Sequence, residues 1–141
     1  MTLKMDRAAL MAFLASDFAE VAADFVVDRA DSAGLDLRLR VAARHLRPGG
    51  TVSGPTLFAL ADVAIYLAIL SRIGPKALTV TTSASIDFLR KPVAGVDLIG
   101  KARILKLGRV LVVGDVLVYS DGTPDPVARA TLTYSIPPGP G

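Results

Sequence analysis

Residues 53–70 read SGPTLFALADVAIYLAIL, and the fold of the chain turns on them. Nearly every position is apolar or small, yet Asp62 sits in the middle. Pro55 suits the first turn of a helix, where a backbone N–H has no partner to lose, and Ser53 or Gly54 can cap it. The interior is rich in Ala and Leu, strong helix formers. A helix that is apolar nearly all round is buried on most sides. Gly74-Pro75 ends it. An unpaired carboxylate there costs roughly several kcal/mol, so Asp62 faces water, is paired, or takes part in chemistry.

The flanks say what surrounds this helix. Leu10, Phe13, Leu14, Phe18, Val21 and Phe25 recur at helical spacing and predict an N-terminal helix over residues 6–25. Residues 34–46, GLDLRLRVAARHL, alternate apolar and polar as a half-exposed strand does, and RPGGTVSGP (47–55) is a loop. Downstream, strands are expected over 78–89, 97–107, 109–120 and 127–136, the last three as an antiparallel meander because their connections are short. One flat sheet cannot bury a helix on nearly every side, whereas a curved antiparallel sheet wrapped around it can. The expected class is therefore α+β: a hotdog fold with a long central helix and an extra N-terminal helix. Residues 1–136 form a single domain, and the Pro/Gly tail 137–141 is expected to be flexible. The apolar run Val110–Val113 predicts that the outer sheet face is partly covered, by a partner subunit or by the N-terminal helix.

Composition excludes several classes. Hydrophobic residues make up 52% of the 141 and mean hydropathy is +0.50, a surplus that points to an oligomer interface. A net charge of +3, few aromatics and no basic run argue against nucleic acid as a partner. With no cysteine there are no disulfides, thiolate metal sites or cysteine nucleophiles, and His45 as the only histidine excludes a multi-histidine zinc site and argues against a Ser-His-Asp triad. His45 reads as structural. No signal peptide is evident. The run Pro55–Leu70 is shorter than the ~20 apolar residues of a membrane span and carries Asp62, so a cytoplasmic protein with no membrane partner is expected.

Three motifs in order, SGPTLFALAD, TTSASIDFLRKP and KLGR, resemble the hotdog acyl-CoA thioesterases of the phenylacetic acid degradation (PaaI-like) type, within the wider 4-hydroxybenzoyl-CoA thioesterase superfamily. The resemblance covers residues 35–136. It implies that Asp62 is the catalytic acid, that the Gly54 N–H at the helix start polarises the thioester carbonyl, and that Thr81 helps hold the nucleophilic water. Phe88-Leu89-Arg90 falls on the family's aromatic-Leu-Arg signature, and Lys106-Leu107-Gly108-Arg109 on its turn near coenzyme A. The chain departs from the family's HGG motif: the histidine is Ser53, the last glycine is Pro55, and the upstream asparagine is Arg47. Pro55 has no N–H, so an oxyanion hole must rest on Gly54 and at most one neighbour.

The resemblance thus implies hydrolysis of a thioester to free acid and coenzyme A. Asp62 would act as general base on water, or as a nucleophile forming an anhydride. Candidate substrate-binding residues are Arg47, Ser53, Phe58, Tyr66, Thr82, Arg90, Lys91, Lys106 and Arg109, with Phe58, Ile65 and Tyr66 lining the acyl pocket and the cations available to phosphates. Gly54 and Asp62 are two turns apart, about 12 Å by helix rise, too far to serve one carbonyl from one chain. The resemblance implies a site between subunits, hence a homodimer or homotetramer. No metal and no cofactor is implied beyond the coenzyme A of the substrate. The alternative is a non-catalytic hotdog protein binding acyl-CoA or another apolar ligand, which the Ser53 and Pro55 departures favour and the retained Asp62 opposes. Asp62 as a structural carboxylate bonded by Thr81 or Thr82 also stays open.

Overall fold

The fold is a six-stranded antiparallel sheet curled around one helix. In the computed structural model, which describes residues 3–139, the chain runs α1 (Arg7–Asp17), α2 (Ala19–Ala22), β1 (Phe25–Asp31), β2 (Gly34–Leu39), α3 (Gly54–Ile73), β3 (Val80–Phe88), β4 (Leu98–Leu107), β5 (Leu111–Ser120) and β6 (Pro126–Ser135). The strand order is β1-β2-β4-β5-β6-β3, so β4, β5 and β6 form the expected meander and β3 closes one edge.

Ser53 caps α3: its Oγ accepts the Thr56 N–H at 3.3 Å. Gly54 and Pro55 are the first two helical residues, and Gly74 ends the helix at φ 95°, its N–H donating to the Leu70 carbonyl at 2.9 Å. The helix is 20 residues long, longer than its most apolar stretch, and with a mean hydropathy of 1.8 it is long and apolar enough to cross a membrane. The expectation that this segment falls short of a span is therefore corrected. Its own sheet covers it instead. Leu60, Ile65, Leu67, Ile69 and Leu70 have no exposed surface, and they pack on Leu35, Leu37, Leu39, Leu98, Val118 and Leu132.

Two glycines set how closely α3 lies on the sheet. A Cβ at Gly100 would stand 3.3 Å from Leu60 Cγ, and one at Gly114 would stand 2.6 Å from Ile65 Cδ1. Ile65 thus fills the sheet side of α3 and cannot line an acyl pocket, which corrects one expectation. The opposite stripe of α3, with Pro55 and Ala59 exposed and Asp62 half-buried, is only partly covered by the described residues. Edge strand β3 is exposed along nearly all its length.

The N-terminal region departs most from the reading. Instead of one helix over 6–25, α1 stops at Asp17, Phe18 breaks the chain direction at φ −135° and ψ 44°, and Phe25 opens strand β1. Only Phe25 of that span enters the ladder with β2; the helix is already broken at Phe18, and strand β1 has no counterpart among the expected elements. Helix α1 packs Leu10, Phe13 and Leu14 against β1 and α3 and leaves the outer sheet face open. That face is polar. Arg103 forks onto Asp115 at 2.8 and 3.1 Å, and Arg129 stands 3.5 Å from Asp87. Val112 points inward and is buried, whereas Val110 and Leu111 lie exposed at the hairpin end. Of the tail, the Gly139 carbonyl accepts from Lys76 Nζ at 2.5 Å, and Pro140 and Gly141 lie outside the described residues.

Candidate active site

Among the described residues, Asp62 is neither free nor paired with a cation. Thr81 Oγ1 donates to its Oδ1 at 2.7 Å, and Tyr134 Oη donates to the same oxygen at 2.5 Å while standing 2.7 Å from the Asp62 carbonyl oxygen. Among the described residues, no donor reaches Oδ2. The carboxylate thus has one oxygen fixed by two hydroxyls and one left open, on a half-buried stretch of helix.

Three elements converge to build this. Asp62 lies on the partly covered stripe of α3. Thr81 lies on β3 opposite Tyr134 of β6, and the register then skips Thr82 before Ser83 pairs with Thr133. That bulge turns Thr81 toward the helix and sends Thr82 elsewhere, its Oγ1 donating to the Thr133 carbonyl at 3.2 Å. Thr82 is therefore no partner of Asp62. Tyr134 is 2% exposed, and its hydroxyl is held protonated well above the ordinary tyrosine range, by burial first and then by the Asp62 charge and hydrogen bond. It is a permanent donor at neutral pH. The sequence reading missed it. The signal was there, because Ala128, Ala130, Leu132 and Tyr134 alternate inward on β6, and a phenol at an inward position needs a partner.

Asp62 opens on a cleft of about 310 Å³ whose walls include Val63, Tyr66, Val80, Thr81 and Tyr134. Tyr66, one turn beyond Asp62, is fixed by its own hydroxyl, which donates to the Ala77 carbonyl at 2.9 Å. Its ring stands 6.2 Å from Tyr134. Gly54 is not in this cleft. It lines a second one of about 450 Å³ at the start of α3, with Arg47, Phe88, Arg90 and Lys91. Its N–H has no acceptor among the described residues, and the Phe88 ring packs so near this residue that a Cβ at 54 would stand 3.3 Å from Phe88 Cζ. Arg90 is tied down, its Nη1 donating to the Pro126 carbonyl at 2.8 Å.

The remaining expected residues scatter. Ser53 is engaged in the helix cap and also donates to Thr56 Oγ1 at 2.9 Å. Phe58 is half-buried against the core and lines neither cleft. Lys106 and Arg109 stand at the exposed β4–β5 hairpin, away from both. His45 is buried, with Nδ1 accepting the Ala42 N–H at 2.9 Å and Nε2 3.4 Å from Asp24 Oδ2; its carbonyl accepts the Ser53 N–H. It supports the turn that leads into α3.

Comparison with known proteins shows the family and the fold of the chain. The model of the Thioesterase superfamily matches residues 49–127, more than half of the chain. A structure from Silicibacter sp. TM1040, described as a candidate thioesterase, is 54% identical over 98% of this chain and 96% of its own, with a TM-score of 0.92. The phenylacetic acid degradation protein PaaI of Thermus thermophilus, in a mutant form, is 30% identical over 84% of this chain and 99% of its own, at 0.73. The PaaI protein of E. coli, from the phenylacetic acid degradation operon, is 25% identical over 91% of this chain and 90% of its own, at 0.77. No curated protein matches the chain by sequence.

Proposed function

The chain belongs to the thioesterase superfamily and is a thioester hydrolase of the hotdog fold, and from that premise we propose that it hydrolyses an acyl-CoA as a cytoplasmic homodimer or homotetramer, with Asp62 of one subunit and the Gly54 N–H of its partner acting on the same carbonyl. The observation that carries this reading is the state of the Asp62 carboxylate. Two hydroxyls orient Oδ1 without neutralising it, which leaves Oδ2 to take a proton from a water in the cleft.

The steps follow. Oδ2 accepts a proton as the water oxygen attacks the thioester carbonyl. The negative charge developing on the carbonyl oxygen is met by the unpaired N–H of Gly54 and by the positive end of α3. The tetrahedral intermediate collapses, the C–S bond breaks, and the proton held on Asp62 passes to the departing thiolate. Water and thioester give acid and free thiol, and Asp62 returns to its carboxylate. Arg47, Arg90 and Lys91 around the Gly54 cleft are the cations available to coenzyme A phosphates, without any metal or other cofactor.

What supports a shared site is that the two functional groups of one chain open on different clefts, about 12 Å apart along the helix. The surfaces left bare or partly covered are the right ones for a two-fold contact: the stripe of α3 through Pro55, Ala59 and Asp62, and edge strand β3. Thiol release from a panel of acyl-CoAs tests the proposal. Asp62→Asn keeps the size and a hydrogen-bonding oxygen but loses the base, so hydrolysis should vanish while acyl-CoA binding survives. A variant that still turned over at the wild-type rate would remove Asp62 from the mechanism.

A further inference from the structure

The cleft beside Asp62 has a wall that the core fold does not supply. Phe18 and Asp17 line it together with Ala77 and Thr79. Both come from the point where α1 breaks, and both lie outside residues 49–127, the part of the chain that matches the family model. The break is built. The Phe18 N–H still donates to the Leu14 carbonyl at 3.1 Å, but ψ of 44° turns the chain out of the helix before α2 begins at Ala19. The ring lands edge-on over Tyr66, centroids 6.0 Å apart and planes at 79°. Had the helix run on through residue 25, Phe18 would have stayed on the buried face of α1.

The two facing rings differ in freedom. Tyr66 is pinned by its bond to the Ala77 carbonyl and backed by Phe13 at 6.1 Å. Phe18 is half-buried, and its residue belongs to no strand and sits between two helices. It is the less restrained of the two aromatic walls of the cleft. At about 310 Å³ the cleft lies at the small end of the range for small-molecule sites, roughly 300–1,000 Å³. Asp17 is the exposed neighbour of that wall, and its charge reaches Tyr66, where after burial it is the second influence holding the phenol above its ordinary range. The small cleft thus has two carboxylate residues in its lining, Asp62 and Asp17.

We propose that Phe18 sets the length of the acyl group and that Asp17 excludes acyl groups ending in a carboxylate, so that the substrate class is a short, uncharged acyl thioester. The inference rests on the acyl-CoA reading above and on the acyl group occupying the cleft beside Asp62. Its logic is steric and electrostatic exclusion, where each methylene that meets the Phe18 ring is disfavoured and each like charge is repelled.

The test is thiol release, as kcat/KM, over acetyl- to dodecanoyl-CoA and over the pair glutaryl-CoA and pentanoyl-CoA. Phe18→Ala should raise octanoyl-CoA relative to butyryl-CoA by about tenfold, and Phe18→Trp should move the preference the other way. Asp17→Asn should raise glutaryl-CoA relative to pentanoyl-CoA by about fivefold. Circular dichroism melts run alongside, and if Phe18→Ala fails to fold, Phe18→Leu and Phe18→Trp decide the matter. Chain-length profiles that coincide in wild type and folded Phe18 variants overturn the length proposal, and an unchanged glutaryl ratio in Asp17→Asn overturns the charge proposal. A wild type inert toward the whole panel is a different result, because it sinks the acyl-CoA reading itself.

Discussion

Replacing Tyr134 by Phe removes one oxygen and nothing else. The ring is 2% exposed and stays packed, so no cavity is opened. What is lost is the hydroxyl 2.5 Å from Asp62 Oδ1, a hydrogen bond to a charged group. Such bonds contribute about 1.5–3 kcal/mol, against about 1 kcal/mol between neutral groups. Tyr134→Phe should therefore destabilise by about 2 kcal/mol in the wild type and by about 1 kcal/mol in an Asp62→Asn background. The coupling of about 1 kcal/mol is readable in a double-mutant cycle by urea unfolding at neutral pH and fixed protomer concentration. A second readout is independent. A tyrosine held above its ordinary value in the folded state contributes stability that is full below its unfolded pKa, about 10, and lost as pH rises past it. Wild type should lose stability more steeply than Tyr134→Phe above about pH 10. Thiol release should fall about tenfold in kcat, because Asp62 keeps only the Thr81 bond to hold it. Four stabilities that add within about 0.5 kcal/mol, with matching alkaline slopes, would refute the idea that this phenol serves the carboxylate.

Two further outcomes test other parts of the site. Gly54→Ala places a methyl 3.3 Å from Phe88 Cζ and should lower kcat/KM about tenfold by displacing the N–H, with Phe88→Leu in the same chain restoring part of it; equal activity in the single and double variants would exclude that contact as the cause. His45 is held below the ordinary histidine range by burial first and by the Arg44 charge second, and Nδ1 is already an acceptor from Ala42. Its folded state resists protonation, so stability is full above about pH 6.5 and falls as pH drops below it. His45→Asn, which keeps an acceptor for Ala42, should flatten the melting temperature between about pH 7 and pH 5, and an unchanged slope would clear His45 of that role.

The strands downstream of α3 were legible because their signals are local. Alternation, turn residues and short connections place β4, β5 and β6 within a residue or two of their ends. The helix was legible for the same reason, from a cap, an apolar run and a terminating glycine. The N-terminal segment was not. Its apolar spacing fits a helix through residue 25, but the chain leaves the helix at Phe18, and Phe25–Asp31 becomes strand β1 through pairing with β2. Within the site, Asp62 stood out as a charge in an apolar helix and Thr81 by its motif. Tyr134, Phe18 and Asp17 did not stand out, because nothing within a few residues of them marks what they meet.

By itself the sequence determined that a long apolar helix needs a sheet curved around it, and that Asp62 has to be partnered or used. Both follow from the cost of exposing apolar surface and of burying charge, which every residue carries with it. Tertiary structure alone decided which partner Asp62 has. Tyr134 reaches it from 72 residues away, and the one-residue bulge at Thr82 determines that Thr81 rather than its neighbour faces the helix. Side chains on a strand alternate, so a single skipped residue reverses every assignment beyond it, and no composition or spacing near Asp62 records where that skip falls.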